Sequence, residues 1–153
     1  MTKPVKPVPD GYHTVTPYLI VDDADGVIAF AQRAFDAELV HRSLGPDGSV
    51  MHAEIRIGDS RVMLGQANAQ WPAMPTMLHL YVPDVDTVYR RALEAGAQSV
   101  REPATQFYGD RSGGVIDAAG NQWWIATHVE DVPPEEIARR AAEHAQAAAD
   151  GGG

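Results

Sequence analysis

Two short strings decide the fold, because they repeat at a fixed distance along the chain. Val21-Asp22-Asp23-Ala24-Asp25 is followed, after a shift of 61 residues, by Val82-Pro83-Asp84-Val85-Asp86. Each string stands between an apolar run and a helix-like stretch. The later parts keep the same spacing: residues 34–39 correspond to 95–100, and residues 58–64 correspond, within one residue, to 120–126. Two units are too few for a solenoid, so they predict paired halves of one fold.

The composition limits the class of protein. The chain has 153 residues, 44% of them hydrophobic, and no cysteine. A chain of this length can bury a hydrophobic core without needing disulfide bonds or structural metals to hold it together. The lack of cysteine excludes disulfides, thiolate metal sites and a thiol nucleophile. The formal net charge of −9 and the scattered basic residues argue against nucleic-acid binding. No apolar run approaches the roughly 18–20 residues of a membrane span, and no signal-like stretch opens the chain, so we expect a soluble, cytoplasmic protein without a membrane partner.

The pattern predicts the order β-α-β-β-β for a first module, residues 12–67. Residues 13–21 alternate in β-favouring side chains, and residues 24–35 have apolar side chains at helical spacing after an Asp-rich N-cap region. Three antiparallel strands then follow at 38–44, 49–57 and 61–64, separated by glycine-containing turns.

A second module, residues 76–132, repeats this order after a linker at 68–75. We expect a strand at 77–82, a helix at 85–95 that ends before Gly96, and strands at 98–102, 113–117 and 122–127. Outside the modules, the sequence predicts a flexible proline-rich arm at 1–11, a C-terminal helix at 133–148 and a disordered tail at 149–153.

Four long strings carry a resemblance to a known family. They are TPYLIVDDADGVIAFAQRAFDAE (16–38), GPDGSVMHAEIRIGDSRVMLG (45–65), LYVPDVDTVYRRALEAGA (80–97) and QFYGDRSGGVIDAAGNQWWIATHVEDVPPEE (106–136). Over about residues 12–132 the chain resembles the vicinal oxygen chelate superfamily, which includes glyoxalase I, extradiol dioxygenases, and fosfomycin- and bleomycin-resistance proteins. It is most similar to the PhnB-like glyoxalase/bleomycin-resistance branch. One departure is Ala118-Ala119-Gly120, where relatives commonly have Pro-Phe-Gly.

The resemblance implies the architecture of the functional site. It implies an α+β fold in which two tandem βαβββ modules form curved mixed sheets around a cup that holds the ligand. Relatives commonly complete their cups across two chains, and symmetric pairs are the commonest oligomers. We therefore expect a homodimer.

Strand alternation predicts which side chains face the cup, because successive residues on a strand point to opposite faces. In residues 51–57 the odd-numbered side chains are apolar and suit the helix side, which leaves His52, Glu54 and Arg56 for the cup. The complete set of predicted ligand-binding residues is Thr16, Tyr18, His52, Glu54, Met63, Met77, His79, Tyr108, Arg111 and Trp124.

Aromatic and basic residues near the cup leave alternatives open. Tyr108 and Trp124 could stack on a planar ligand, whereas packing suits Trp123 and Phe107 better. Arg111 could grip a carboxylate or phosphate of the ligand, or it could pair with Asp110.

Metal-dependent members of the superfamily place His, Glu or Gln at four positions, one on the first and one on the last strand of each module. The 61-residue shift pairs Thr16 with Met77, and Met63 with Trp124, at these positions. A hydroxyl, two thioethers and an indole are not the ligands that divalent cations prefer. We therefore expect no cofactor and no metal there, and a chain that binds a small organic molecule.

His52 and Glu54 keep an enzyme open as the alternative. They share one face of a strand, so they could form a simple hydrogen-bonded pair with Arg56 balancing the carboxylate. They could also act as an acid–base pair, or form a relocated metal site together with His79. Either of the last two arrangements would suit a lyase or isomerase. A third possibility is a structural partner protein with a vestigial cup.

Overall fold

Two βαβββ modules follow one another along the chain, as the repeat predicts. The computed structural model describes residues 4–151. The elements are β1 (Tyr18–Val21), α1 (Ala24–Phe35), β2 (Glu38–Leu44), β3 (Val50–Ile57), β4 (Ser60–Gln66), β5 (Met77–Tyr81), α2 (Val85–Glu94), β6 (Gln98–Thr105), β7 (Asp110–Ile116), β8 (Gln122–His128) and α3 (Pro134–Gly151). The predicted fold class, α+β with tandem βαβββ modules, is confirmed.

Each module forms one mixed four-stranded sheet. Sheet A has the order β1-β4-β3-β2, and sheet B has the order β5-β8-β7-β6. In both sheets the first strand lies parallel to the last strand of its module, and the remaining pairs are antiparallel. The 61-residue repeat therefore corresponds to two sheets of the same topology.

Several element boundaries differ from the prediction. The first strand begins at Tyr18 rather than at residue 13, because Pro17 has no N–H for a strand ladder, although its carbonyl accepts the amide of Met63 at 2.9 Å. Strand β7 begins at Asp110, before the predicted residue 113. Helix α3 continues to Gly151, beyond residue 148, so residues 149–151 are helical and the predicted tail is wrong there. The rest of that tail and residues 1–3 of the arm lie outside the described residues.

The helices begin at the same chemical signal in both modules. The side chain of Asp23 accepts the amide of Gly26 at 3.0 Å before α1, and Asp84 accepts the amide of Thr87 at 3.3 Å before α2. Such N-caps satisfy amide groups that have no partner inside the helix. Helix α1 ends at Phe35 and is followed by its C-cap Asp36, whose φ of 55° is left-handed.

The modules share a buried aromatic contact. Trp123 of β8 is fully buried, and its ring lies 5.0 Å from that of Phe35 and 6.1 Å from that of Phe30, both on α1. Its indole N–H donates to Asp117 at 2.8 Å. Helices α1 and α2 also pack against each other. The predicted packing role of Trp123 agrees with this position.

The sheet faces turned away from the helices are open. Within residues 4–151 no strand of sheet A pairs with a strand of sheet B. We call the face of sheet A that carries Tyr18, His52, Glu54 and Met63 cup face A. Cup face B is the face of sheet B that carries Met77, His79, Tyr81, Asp110, Trp124 and His128. Tyr18, Met77 and Tyr81 are 47%, 61% and 64% exposed, so a single chain leaves both faces accessible to solvent.

The linker covers part of the outer edge of β1. The amide of Met74 donates to the carbonyl of Ile20 at 3.0 Å, which forms an isolated antiparallel bridge. The side chain of Asn68 accepts the amides of Gln70 and Trp71, both at 2.9 Å, and so holds the start of the linker. Strand β5 has no such cover among residues 4–151.

No helix in this part of the chain has the length and hydropathy to cross a membrane.

Candidate ligand-binding site

A chain of hydrogen bonds runs across cup face A. The Tyr18 hydroxyl lies 3.1 Å from Nδ1 of His52, and Nε2 of His52 lies 3.1 Å from Oε1 of Glu54. Strand β1 supplies the tyrosine and β3 the other two residues, in agreement with the predicted common face. His52 is therefore held at both ring nitrogens, and its tautomer decides which nitrogen donates.

The surroundings leave the carboxylate of Glu54 without an arginine partner. Arg56, expected to balance it, forms a salt bridge with Glu38 across the β2–β3 ladder instead. The side chain of Glu54 is only 16% exposed, and that of His52 is 28% exposed. A partly buried carboxylate with one imidazole contact is a ready acceptor for a donor on a ligand.

Two bulges change which residues reach cup face A. Leu39 pairs with Ile55 and His41 with Glu54, so Val40 is the extra residue on β2. His41 consequently joins the site, with its ring 6.1 Å from that of His52. On β3 the extra residue is Met51, which the alternation assigned to the helix side but which is 62% exposed. A bulge shifts strand parity, and the local sequence does not reveal it.

Cup face B carries a second polar network that sequence reasoning missed. The buried Asp110 accepts the Tyr81 hydroxyl at 2.7 Å and lies 2.8 Å from Nδ1 of His128. The other ring nitrogen of His128 lies 2.7 Å from Asp131. The register shows why these groups meet, since Asp110 on β7 pairs directly with His128 on β8. The sequence predicts that β7 begins at residue 113. The pairing of Asp110 with His128 could be predicted only if β7 were known to begin at residue 110.

The network shifts the pKa of each of its three central groups. Burial acts to raise the pKa of Asp110, but hydrogen bonds from His128 and Tyr81 outweigh it and hold that pKa below its usual value. Hydrogen bonds to Asp110 and Asp131 raise the pKa of His128. The hydrogen bond to Asp110 likewise raises the pKa of Tyr81. A charged His128 can donate from both nitrogens at once.

Trp124 lies flat on cup face B beneath an arginine. The guanidinium of Arg101 stands 4.8 Å from the ring centroid and donates to the Ser112 hydroxyl at 2.9 Å. On the other side, a Cβ at Gly114 would lie 2.9 Å from the ring atoms, so only glycine allows this position. The predicted stacking surface thus already holds a cation–π partner, and a ligand stacking on this face of the ring would displace Arg101.

The structure places some predicted residues elsewhere. Arg111 is not on cup face B, because Asp110 and Ser112 face the cup and the residue between them points to the other side. Its guanidinium donates two hydrogen bonds of 2.8 Å to Asp86 of α2. Arg111 is therefore not a ligand anchor in the cup, and it does not pair with Asp110. Thr16 precedes β1.

Three further residues predicted for the ligand site, Met77, His79 and Tyr108, are exposed. Met77 and His79 are exposed on β5, and the ring of His79 lies 5.0 Å from that of Tyr81. Tyr108, 37% exposed, lies in the loop before β7 and packs against Phe107 with ring centroids 5.2 Å apart. The ring of Phe107 in turn packs against the imidazole of His144 on α3, with ring centroids 5.4 Å apart. This contact is consistent with the predicted packing role of Phe107.

The donors at the expected metal positions do not fit a divalent cation. In the strand register, Tyr18 is level with Met63, and His79 is level with Trp124. The set of Tyr18, Met63, His79 and Trp124 contains one usual ligand, the imidazole of His79. The set in which Thr16 and Met77 replace Tyr18 and His79 contains none. Among residues 4–151 no three His, Asp or Glu side chains form a group that could hold a metal ion, so His79 does not join His52 and Glu54 within one chain.

Comparison with known proteins identifies the family. The model of the Glyoxalase/Bleomycin resistance protein/Dioxygenase superfamily matches residues 12–125. The chain belongs to this superfamily. The match covers both modules, including the strands that carry the two cup faces except for the end of β8. The predicted resemblance is confirmed.

Relatives of the chain within the superfamily occur in mycobacteria. An uncharacterized protein of Mycobacterium bovis is 39% identical over 137 residues, which cover 80% of this chain and 88% of the relative. An uncharacterized protein of Mycobacterium tuberculosis has the same identity over 137 residues, covering 80% of this chain and 79% of the relative.

Several solved structures share the fold of this chain. TioX from Micromonospora sp. ML1 is 24% identical, with a TM-score of 0.65, over 76% of this chain and 99% of TioX. A PhnB protein from Bacillus cereus, described as a putative 3-demethylubiquinone-9 3-methyltransferase, is 19% identical with a TM-score of 0.61, over 75% of this chain and 99% of the other. At these identities the likeness concerns the fold alone.

Proposed function

We propose that this chain binds a small organic molecule in a cup between cup face A of one chain and cup face B of a second chain. The observation that carries the proposal is the hydrogen-bonded chain of Tyr18, His52 and Glu54 on an exposed sheet face. Ligand sites combine apolar and aromatic surface with a few fixed polar groups, and this face has that composition. The expected absence of the usual metal site follows from the donor set and remains part of the proposal.

Pairing of two chains would complete the site. Met51 on cup face A and Met77 and Tyr81 on cup face B are all more than half exposed, and flexible thioethers suit adaptable contacts. A homodimer would bury these side chains and bring the two polar networks to opposite walls. Sedimentation of the wild type against a Met51→Lys, Met77→Lys variant tests this pairing, with Leu93→Lys on α2 as the control. A monomeric wild type would contradict it.

The ligand we favour is planar and carries hydrogen-bond donors. Glu54 and Asp110 place one carboxylate on each wall, and within residues 4–151 only the His52 side chain forms a hydrogen bond with that of Glu54. Aromatic and glycopeptide-like compounds are suitable probes, with affinity measured by calorimetry in the presence and absence of a chelator. We expect saturable binding that the chelator leaves unchanged and that Tyr18→Phe and Glu54→Gln each weaken by about tenfold. Glu143→Gln, an exposed carboxyl on α3, is the control.

A second candidate is a metal-free enzyme that moves protons. It rests on the position of His52, which contacts both a phenol and a carboxylate and could pass a proton between them. A lyase or isomerase whose rate falls by about 10²–10⁴ in His52→Ala, without bound metal by elemental analysis, would favour it over simple binding. Stoichiometric metal that is lost in both His52→Ala and Glu54→Ala would instead contradict the binding proposal.

A further inference from the structure

A cavity of about 880 Å³ lies between the two modules. Phe35, Ile57 and Val62 of the first module line it together with Leu80, Val88 and Trp123 of the second module. Its walls share Thr16, His79 and Tyr81 with the predicted ligand site or cup face B, so the cavity adjoins the proposed cup, but they do not include His52, Glu54 or Trp124. Its volume is within the range of roughly 300–1,000 Å³ typical of small-molecule pockets.

Arg61, on the wall of this cavity, has a buried polar atom that nothing in the structure satisfies. Its Nε is buried and has no hydrogen-bond partner among residues 4–151. Most arginines in this part of the chain form salt bridges, for example Arg42 with Asp25 and Arg91 with Asp36, but Arg61 forms none. A buried donor of a charged group without an acceptor is rare in folded proteins.

The N-terminal arm fixes the guanidinium of Arg61 without satisfying it. The guanidinium carbon lies 5.2 Å from the ring centroid of Tyr12. Gly11 packs against the same group, so that a Cβ there would stand 2.8 Å from Nη2. A preorganised guanidinium with free donors is suited to a carboxylate, sulfonate or phosphate.

The other charges on the wall leave Arg61 as the group most in need of a partner. Arg91 and Asp36 neutralise each other. Asp59 is exposed in the β3–β4 turn and accepts the Ser60 hydroxyl at 2.9 Å, so it remains solvated. His13 and His79 add two imidazoles to the wall. Arg61 is therefore the cation on this wall that an anionic group of a ligand would neutralise.

The uncovered edge of β5 adds backbone donors to the same wall. Two backbone hydrogen bonds join the ends of β5 to β8: the amide of Gln122 donates to the carbonyl of Thr76, and the amide of Val82 donates to the carbonyl of Ala126. In a parallel pair the bonds to one neighbour come from alternate residues, so His79 and Tyr81 direct their backbone groups to the free edge. Both residues line the cavity.

We propose that this cavity is a second binding site, for a small amphipathic anion with an apolar body. Its acidic group would bind Arg61, and its rings or alkyl chain would lie on the partly exposed apolar wall made by Ile57, Leu80 and Val88. The cavity shares His79 and Tyr81 with cup face B, but Arg61 and Val88 belong to neither polar network, so substitutions at these two positions test this site separately from the cup.

The test uses two fluorescent probes that differ in charge. One is 1-anilinonaphthalene-8-sulfonate, and the other is N-phenyl-1-naphthylamine, which has the same ring system without the sulfonate. We expect the sulfonate to bind saturably at one site per chain in the cavity. In Arg61→Met its affinity falls by about tenfold or more, whereas the affinity of the neutral probe stays the same. Val88→Trp, which fills the cavity, abolishes binding of both probes at this site.

Matched variants distinguish binding in the cavity from binding elsewhere on the chain. Arg90→Met removes the same charge from an exposed position on α2 outside the cavity, and Glu54→Gln alters the cup; neither should change the affinity for the sulfonate. If Val88→Trp does not fold, the NMR shift of the Trp123 indole N–H replaces it, with Trp124 as reference. The proposal is overturned by absence of saturable binding, by equal sulfonate affinity in Arg61→Met, by unimpaired binding in Val88→Trp, or by a probe that shifts Trp124 and not Trp123.

Discussion

Asp36 and Arg91 connect the end of α1 to α2 through a two-point ion pair. The two Nη atoms of Arg91 donate to the two carboxylate oxygens of Asp36 at 2.7 and 3.0 Å. Asp36 is also the left-handed C-cap of α1, with φ at 55°. Asp36 thus caps a helix of the first module and binds a helix of the second. Its position depends on the end of α1 and on the ion pair with Arg91.

The first prediction concerns the pH dependence of this pair. The hydrogen bonds from Arg91 lower the pKa of Asp36 from its ordinary value of 3.8. A lowered folded-state pKa means that the stability it contributes is present above pH 3.8 and is lost as the pH falls through the lowered pKa. Asn tolerates left-handed backbone, so Asp36→Asn should be destabilised at neutral pH and match the wild type in strong acid. Urea unfolding across this range, with Asp22→Asn as the control, checks it; a difference independent of pH would contradict it.

The opposite sign is expected for His128. Hydrogen bonds to Asp110 and Asp131 raise its pKa above the ordinary 6.5. Its stabilising effect is therefore complete below pH 6.5 and disappears as the pH rises through the raised pKa. The free energy of unfolding of His128→Gln relative to wild type should show this decline, and an NMR titration should report the pKa. Asp131→Asn should move that pKa back toward 6.5, whereas His13→Gln serves as the control; an unshifted titration of His128 would refute the network.

Replacement of Trp123 tests the contact between the modules. Trp123→Phe shortens the ring that packs on Phe30 and Phe35 and removes the donor to Asp117. We expect a loss of about 2–4 kcal/mol in the free energy of unfolding. Trp71→Phe, at a side chain 53% exposed in the linker, should change it by less than about 0.5 kcal/mol. Equal effects of the two substitutions in chemical denaturation would contradict the packing described.

Gly109 holds the loop before β7 against the segment that follows β8. Its carbonyl accepts the amides of Val129 and Glu130 at 2.8 and 3.0 Å, and a Cβ at this position would collide with the carbonyl of Glu130. Gly48 also has a positive φ, 82°, but its Cβ would meet nothing within 4 Å. Gly109→Ala should therefore cost about 1–3 kcal/mol more than Gly48→Ala, the excess being steric. Thermal unfolding of both variants measures this, and equal costs would show that the contact with Glu130 relaxes freely.

Local signals predicted the elements that depend on local chemistry. The bounds of α1 follow from the N-cap at Asp23 and from apolar residues at helical spacing, and the structure has the same bounds. The shared face of His52 and Glu54 follows from alternation within a short regular stretch. These features need no knowledge of the rest of the molecule.

Features that depend on pairing between strands were missed. The extra residues Val40 and Met51 arise from the register of β2 with β3, so the place of His41 beside His52 was not predictable from spacing. The sequence predicts Arg111 in a loop before β7, where it could bind a carboxylate or phosphate of the ligand. In the structure it lies within β7, where parity directs it toward Asp86. The partnership of Asp110 with His128 has the same origin.

The packing of Trp123 against Phe30 and Phe35 has a thermodynamic consequence for a chain built from two copies of one motif. Neither copy can open without exposing the indole and the two phenyl rings to water, so the opening of one removes support from the other. Cooperative units of this kind share a single transition. We therefore expect the duplicated sequence to unfold as one unit, so that heating releases both halves at the same temperature.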